Sequence, residues 1–427
     1  MAYIPPHKRH SKDSESERPS LIPERLAPLP HKQHMNLKLP SKRKYDKSGD
    51  IVYADNAIFK WFIVGNFDAD QDNHLEPISV ESFEQRMGMK PLVLVNNHPP
   101  KGNDEEGEST TSSTLSESVA VNVWPDLLTS FEVVRNKMES KELDEGKPSM
   151  VARFGNILFH GTPSVRSESV LRKDHVDETT LRRMKRTFYT NTSYSYMENI
   201  ISGVVPKIGV DLVEEKNIYH IKLSDRTQPG SALICKCRIN DIDKKLELYK
   251  ASFLLKIHQI SELKMSASIL DLVELNPIRH MVIDISCIDK NLDLRLALYT
   301  KRIISAFQDD EMHSIRNIVN SAILDPEVKG GLRWPLGKAC SEDRYSVIGV
   351  WHTIAKKYKS PSLSLKARHV DRFDFKVAIG ESTFEVNLKL RRIVSHLQEV
   401  KIERDSICDV FKDNLRMIWD HFLCGRD

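Results

Sequence analysis

The chain has 427 residues, which is enough for two or three domains with a sizeable core. Its net charge of +3, with 40% hydrophobic and 29% charged residues, is typical of a globular protein and excludes a strongly basic chain. The six cysteines form no CxxC pair, and no stretch approaches the ~18 apolar residues that span a bilayer. We therefore expect a soluble cytoplasmic or nuclear protein without a metal site or a membrane contact.

Residues 1–50 differ in composition from the rest of the chain. They carry seven of the 20 prolines, and eleven Lys and Arg against six Asp and Glu. Because they show almost no periodic apolar pattern, they bury too little surface to offset their ordering entropy. We expect a disordered basic tail that opens with AYIPPHKRH.

Three further segments follow the tail. Residues 51–95 are predicted to be rich in β-structure, because IVYADNAIFKWFIVGNF and PLVLVNN mix aromatic and β-branched residues. The polar residues 96–118 indicate a flexible loop or linker. Residues 119–427 form the predicted main domain, which begins with a helix in WPDLLTSFEVVRNKM that has Pro125 at an early position.

The main domain alternates between strand and helix patterns. Strands are predicted in RFGNILFHG, NIYHIKLSD, SALICKCRI, YKASFLLKI, HMVIDISCI and LDLRLALYTKR. Helices are predicted in DETTLRRMKRTF, SYMENIISGVV and DDEMHSIRNIVNSAIL. Cys235 and Cys237 share one side of a predicted strand, where we expect buried thiols.

The stretch from residue 344 to residue 391 gives the clearest β pattern. Apolar residues alternate with polar ones in three runs, around residues 363–367, 373–379 and 384–391. We expect an antiparallel meander with Gly380 at a turn and with its apolar side against helices. Residues 394–423 have helical spacing and predict one long helix, or two in sequence. The fold class is thus α+β, with antiparallel sheets packed by helices.

Several stretches resemble a plant protein family that is known only as a domain of unknown function. They are AYIPPHKRH, DISCIDKNLDLRLALYTKRI and the long segment that contains GGLRWPLGK and DRYSVIGVWHT. The resemblance covers essentially the whole chain and implies a plant source, with no assigned activity. The tail is also similar to the N-terminal tails of some DEAD-box RNA helicases, which can dock on the cap-binding factor through Y-x4-L. Lys8 stands here where that pattern has its leucine.

A basic aromatic block is the first candidate site. Residues 329–376 carry eleven Lys and Arg against four acids, together with Trp334, Tyr345, Trp351 and Tyr358. Cations on one sheet face suit phosphates, and rings stack on unpaired bases, so the expected partner is single-stranded RNA or an acidic protein. The alternative is the ordinary polar side of an amphipathic sheet. The candidate polyanion-binding residues are Arg344, Lys366, Arg368, Lys376, Lys389 and Arg391.

A second candidate lies in NILFHGTPS. Together with a later tyrosine, this stretch is similar to the start of the His-Tyr-Glu pattern of ADP-ribosyltransferases and RNA 2′-phosphotransferases. The resemblance implies NAD as cofactor, a ribose contact for His160 and a nicotinamide stack for Tyr189. Pro163 departs from the pattern, and the glutamate is left open among Glu214, Glu215 and Glu247. The alternative is a histidine in a turn, in which case no cofactor is expected and the protein is a non-enzymatic binding or adaptor protein.

Overall fold

One large, mostly antiparallel sheet organises the computed structural model. The structure describes residues 52–65, 73–96, 108–139, 147–162, 164–171, 175–227, 232–240, 245–254, 272–275, 277–301, 303–305, 309–335, 344–398 and 404–423. All of them belong to the unit formed by residues 44–427. The predicted tail, residues 1–50, lies outside the described residues.

Seventeen strands are described, most of them in the large sheet. They are β1 Val52–Val64, β2 Asn73–Pro77, β3 Leu92–Asn96, β4 Lys147–His160, β5 Lys185–Tyr189, β6 Asp211–Asp225, β7 Ala232–Ile239, β8 Leu246–Leu254, β9 Leu272–Leu275, β10 Ile278–Cys287, β11 Asp293–Lys301, β12 Ile303–Ser305, β13 Ile323–Leu324, β14 Leu332–Arg333, β15 Tyr345–Lys359, β16 Leu363–Asp374 and β17 Ile379–Leu390.

Eight α-helices accompany the strands in the described residues. They are α1 Glu81–Met87, α2 Glu108–Glu139, α3 Ser167–Leu171, α4 Glu178–Arg183, α5 Tyr194–Asn199, α6 Asp309–Asn320, α7 Arg391–Gln398 and α8 Arg404–His421. A π-helical turn, Ile200–Val204, continues α5. No helix in these ranges is long and apolar enough to cross a membrane. The mixed, mainly antiparallel architecture confirms the predicted α+β class.

The order of strands differs strongly from their order in the sequence. The main path is β1, β10, β11, β4, β17, β16, β15, β6, β7, β8, β9 and β12, while β2, β3 and β5 attach beside β4. Strand β1 runs parallel to β10, and β8 runs parallel to β9. The other described pairs are antiparallel, including the β15–β16–β17 meander. An antiparallel meander was predicted in this region, but with Gly380 at a turn, whereas Gly380 lies in β17.

One side of the central strands is apolar and lies against helices. Alternate residues such as Phe154 on β4, Leu365 on β16 and Leu388 on β17 are fully buried in the largest hydrophobic cluster. Helices α2, α7 and α8 close this cluster with residues such as Leu127 and Trp419. The prediction that the apolar side of the meander packs on helices is therefore confirmed.

Two smaller layers complete the packing. Helix α6 covers the outer side of β6, β7 and β15, where Cys235 and Cys237 are buried as predicted. Burial raises the pKa of the Cys235 thiol to about 12. Strands β2, β3 and β5, with α3 and α4, enclose Trp61 and Phe159 in a separate cluster at one end of the sheet.

Two further predictions need correction within the described residues. The predicted linker, residues 96–118, is partly helical, because α2 begins at Glu108 and places Pro125 deep in its interior. Pro125 lies on the exposed side of α2, where water can satisfy the carbonyl that loses its partner. The second correction concerns the meander. Strand β16 continues to Asp374 without a break, and residues 375–378, predicted as strand, form an exposed turn instead.

Candidate polyanion-binding face

Charged side chains line the side of the sheet that faces away from α2, α6, α7 and α8. Arg153 on β4 lies opposite Asn387 on β17, and Asn387 lies opposite Lys366 on β16. Side chains at paired positions point to the same side of a sheet, so these three form one row. We call this surface the inward face; its basic, acidic and aromatic members include Arg279, Asp284, Arg295, Arg153, Glu381, Glu385, Asn387, Lys389, Lys366, Arg368, Arg372, Lys357, Trp351, Glu214, Lys216, His220 and Lys236.

Apolar residues between the cations of the inward face are shielded from water. Val151, Ala355 and Val370, which lie between its cations, are only 2%, 3% and 1% exposed, although they belong to none of the hydrophobic clusters under the helices. A flat sheet face without a covering layer would leave them open to water. Five shifts of register interrupt the strand pairs, and such bulges bend and twist a sheet.

The carboxylate of Glu385 organises the centre of the face. It accepts hydrogen bonds from the guanidinium groups of Arg368 and Arg372, and Thr383 Oγ1 donates to it at 3.2 Å. Arg372 Nη1 in turn donates to Thr383 Oγ1 at 2.7 Å. Burial alone would raise the pKa of Glu385, but the two guanidinium groups outweigh it and hold the pKa at about 2. Glu385 is therefore ionised and fully engaged.

A second ion pair lies farther along the face. Arg295 on β11 donates to both oxygens of Asp284 on β10, at 2.5 and 2.7 Å. Such a two-point contact between guanidinium and carboxylate is strong and directional. Arg295 also lies over the ring of Phe188, with its Cζ 4.6 Å from the ring centroid. Asp284 is thus engaged by Arg295, as Glu385 is by its two arginines.

Several polar atoms of this face are buried without a hydrogen-bond partner. They are Arg153 Nε, Arg279 Nη1, His220 Nδ1 and Asn387 Oδ1. A buried donor or acceptor without a partner costs free energy, and native structures contain few of them. Three of these four atoms belong to basic side chains, and all four lie on the inward face.

Burial and the neighbouring positive charges lower the pKa of two cations of this face. Burial, followed by repulsion from Arg279 and Arg368, lowers the pKa of Arg153 to about 10. Burial, followed by repulsion from Arg368, Lys216 and Lys236, lowers the pKa of Lys366 to about 7, although Glu385 opposes the shift. The face thus lacks negative charge relative to its cations.

His220 lies at the aromatic part of the face. Its ring is stacked on Trp351, with 4.9 Å between the ring centroids and 11° between the planes. Burial and then the nearby cations Lys236, Lys366 and Arg368 keep its pKa well below the usual value. His220 is therefore neutral at pH 7, and a flat aromatic pair stands beside the cations.

Only half of the six residues predicted from the sequence reach the inward face. Lys366, Arg368 and Lys389 lie on it, and Lys389 Nζ is 5.9 Å from the ring centroid of Tyr299. The other three lie elsewhere. Arg344 binds Asp225 at 2.8 and 3.0 Å, Lys376 sits in the exposed turn after β16, and Arg391 begins α7 and donates to the Ser360 carbonyl at 2.8 Å. The face is also half-buried, whereas an exposed one was predicted.

Sequence reasoning missed Arg153, Arg279 and His220, which come from three separate strands. Each interrupts an apolar strand pattern, in MVARFG, IRHMVIDI and NIYHIKL. A lone basic residue at an inward position of an otherwise apolar strand was the available signal. It was not decisive, because such residues are also common at strand edges.

The structure separates the residues of the ADP-ribosyltransferase-like pattern. His160 and Tyr189 belong to the β4–β5 pair but lie four positions apart, about 13 Å along the strands. His160 packs on Phe83 and lies 3.3 Å from Thr187 Oγ1, while the Gly161 N–H donates to Ser167 Oγ at 3.0 Å within the turn.

Tyr189 has a different environment. Its hydroxyl donates to Glu381 at 3.0 Å, and burial, with Glu381 next, raises its pKa. The glutamates considered for this pattern lie on other strands, with Glu214 and Glu215 on β6 and Glu247 on β8. Among the described residues, no group of three or more His, Cys, Asp or Glu is arranged to hold a metal ion.

The sequence matches one family over nearly its whole length. The family is described as Domain of unknown function (DUF7903), and the matches span residues 45–271 and 261–422. No curated protein matches the chain. Among solved structures, S. pombe Pct1 RNA triphosphatase is similar with 7% identity, a TM-score of 0.36 and coverage of 76% of this chain and 93% of that one. The same enzyme in complex with the Spt5 CTD gives 9% identity, a TM-score of 0.38 and coverage of 76% and 96%.

Proposed function

In a chain that belongs to this family of unknown function, we propose that the inward face binds a single-stranded, phosphate-rich polyanion, with RNA as the best-fitting class. The observation that carries the proposal is the set of buried cationic donors without partners, Arg153 Nε and Arg279 Nη1. Each destabilises the unliganded protein. A phosphate oxygen would satisfy such donors and neutralise the charge at once.

The carboxylates of the face do not already fulfil this role. Glu385 and Asp284 are each occupied by arginines, Glu214 is paired with two lysines, and Glu381 accepts from two hydroxyl groups. No acidic residue is paired with Arg153 across the strands, where its neighbours are Arg295 and Asn387. A structural ion network would place an acid beside each cation. The excess of positive charge here favours an external anion.

The arrangement of the cations favours a chain-like anion over a single small ion. They extend from Arg279 on β10 to Lys236 on β7, across strands about 4.8 Å apart. A polymer with a phosphate in every unit can contact successive strands. The two members with orphaned donors, Arg153 and Arg279, are arginines, and the fork geometry of a guanidinium group fits phosphate oxygens better than an ammonium does.

The aromatic pair favours a single strand. Trp351 and His220 lie in the same row as Arg372 and Lys236, so a base next to a bound phosphate would meet a ring. Stacking of this kind needs unpaired bases and tolerates any base sequence. A duplex would hide its bases from these rings. An acidic protein would gain nothing from the rings.

The test is binding of the full chain to labelled single-stranded RNA at two salt concentrations. We expect log K to fall with log salt by about 0.7 per phosphate contacted. The variant Arg153→Met/Lys366→Met should bind at least tenfold more weakly. The matched control is Lys207→Met, which removes a positive charge from an exposed position after the π-helical turn. It should bind within twofold of the wild type.

Three outcomes would overturn the proposal. The first is the absence of binding even at low salt. The second is binding that Arg153→Met/Lys366→Met leaves unchanged, which would move the contact to another part of the chain, such as the basic residues 1–50. The third is tighter binding of an acidic peptide than of RNA, which would make the partner a protein.

A further inference from the structure

Asn387 occupies the centre of the inward face. It lies in β17, with Arg153 opposite it on one side and Lys366 opposite it on the other. At a strand spacing of about 4.8 Å, both cations are within reach of a ligand atom that touches Asn387. Any phosphate held by the two cations would therefore bring its neighbouring groups against the Asn387 amide.

The amide oxygen of Asn387 is buried and has no hydrogen-bond partner. Neither Arg153 nor Lys366, which lie opposite Asn387 on the two neighbouring strands, donates a hydrogen bond to it. This atom differs in kind from the orphaned donors beside it. Phosphate oxygens satisfy Arg153, but they only accept hydrogen bonds at neutral pH and cannot satisfy another acceptor.

The buried atoms without hydrogen-bond partners therefore favour a ligand with two features. It carries anionic oxygens for the cations, and it carries a hydroxyl close to them that donates to Asn387. RNA has this combination in every unit, since the 2′-hydroxyl stands next to the phosphate, and DNA lacks it. The 2′-hydroxyl is also the group by which proteins distinguish the two nucleic acids.

We infer that Asn387 accepts a hydrogen bond from a ribose 2′-hydroxyl and makes the inward face selective for RNA over DNA. The inference rests on the proposed function, since it concerns a strand bound on the same face. Asn387 is the specificity-determining residue, whereas Arg153 and Lys366 supply affinity for either nucleic acid.

The first measurement compares the full-length wild-type protein with single-stranded RNA and DNA of the same sequence at one salt concentration. We expect RNA to bind about tenfold more tightly, as one hydrogen bond to a buried acceptor provides. RNA with 2′-fluoro groups keeps the phosphates but loses the donor, and it should bind like DNA. This comparison needs no variant, so it stays decisive if a substitution at Asn387 impairs folding.

The second measurement uses Asn387→Leu, which keeps a similar volume and removes the acceptor. We expect its affinity for DNA to stay within twofold of the wild type and its preference for RNA to disappear. Asn387→Asp keeps an acceptor but adds a negative charge, so it should weaken the binding of both polymers.

The outcomes separate the two proposals. If the wild type binds neither polymer, the proposed function fails. If it binds RNA, DNA and 2′-fluoro RNA equally, the proposed function stands and the role of Asn387 is overturned. A preference for RNA that survives in Asn387→Leu, with a melting temperature like that of the wild type, also overturns the role of Asn387.

Discussion

The two sides of strands β4, β16 and β17 both lose contact with water, the outward side fully and the inward side in part, and they do so in opposite ways. On the outward side, Phe154, Leu365 and Leu388 pack against helices and exchange water for close apolar contacts. On the inward side, Arg153 and Asn387 lose water and gain no partner for their buried atoms. The comparison teaches that burial stabilises only where the contacts replace those made with water. The outward side stabilises the fold, and the inward side reduces its stability.

The largest effect on stability is expected at Glu385, which pairs with two arginines of the inward side. Glu385→Gln removes the charge that neutralises Arg368 and Arg372 and leaves two buried guanidinium groups without their anion. We expect a loss of about 4 kcal/mol in the free energy of unfolding at pH 7, measured by urea denaturation. The matched control is Glu327→Gln, which changes an exposed glutamate and should alter stability by less than about 0.5 kcal/mol. A loss equal to that of the control would show that the ion pairs are unimportant.

The same carboxylate predicts a pH dependence. Its folded pKa of about 2 lies below the ordinary value of 4.5, so its contribution is complete above about pH 4.5 and is lost as the pH falls through 2. Wild-type stability should decline over this range, and Glu385→Gln should show a shallower decline. Parallel curves for the two proteins would contradict this assignment.

The next largest loss of stability is expected from a substitution on the outward side. Leu388→Ala removes buried apolar contacts and opens a cavity beneath the helices, so we expect a loss of about 3 kcal/mol in the free energy of unfolding. The affinity of the folded variant for RNA should stay within twofold of the wild type. Leu212→Ala is the matched control, because Leu212 is 52% exposed. A large change in RNA affinity in Leu388→Ala would break the separation between the two sides.

A smaller effect follows from Lys366. Its folded pKa of about 7 lies below the ordinary 10.5, so between these values the unfolded chain binds more protons and folding stability rises with pH. We expect a gain of about 2 kcal/mol from pH 7 to pH 9, which Lys366→Met abolishes. RNA affinity should fall over the same range, because the neutral amine no longer attracts phosphate. A rise in both quantities would contradict the placement of Lys366 in the binding face.

The substitution with the smallest expected effect on stability gives the clearest test of the difference between the two sides of the sheet. Arg153→Met replaces a buried cation by an apolar chain of similar length, so stability should stay the same or rise by up to about 1 kcal/mol. RNA binding should weaken about tenfold, because a guanidinium donor is lost. Thermal denaturation and RNA titration of the same sample test both points. A clear loss of stability would show that Arg153 supports the fold instead of binding a ligand.

Much of the local structure was predictable. The period of two in residues 363–367 and 384–390 places Leu365 and Leu388 on the buried side, and the helical spacing after residue 394 predicts α7 and α8. The prediction of a strand at residues 373–379 was wrong, because Phe375 and Val377 follow the same alternation but lie in an exposed turn. Alternation gives the side of a strand but not the position where the strand ends.

The inward face was predictable only in part, for a related reason. Lys366, Arg368 and Lys389 lie on two strands joined by a short turn, so their common side follows from local alternation. The prediction that Lys376 and Arg391 extend this set assumed that the strands continue. Arg153 and Arg279 come from distant strands, and nothing near them in sequence indicates their neighbours.

The sequence by itself determined the alternation within each strand, since successive side chains must point to opposite sides of a pleated chain. It therefore determined that Arg153 lies on one side of β4 and Phe154 on the other. Only the tertiary structure decided that β4 lies between β11 and β17, which puts Arg153 beside Asn387, 234 positions later in the chain. Strand order arises from contacts between segments that are distant in the sequence. These contacts bring the polar sides of several strands together as one cationic face.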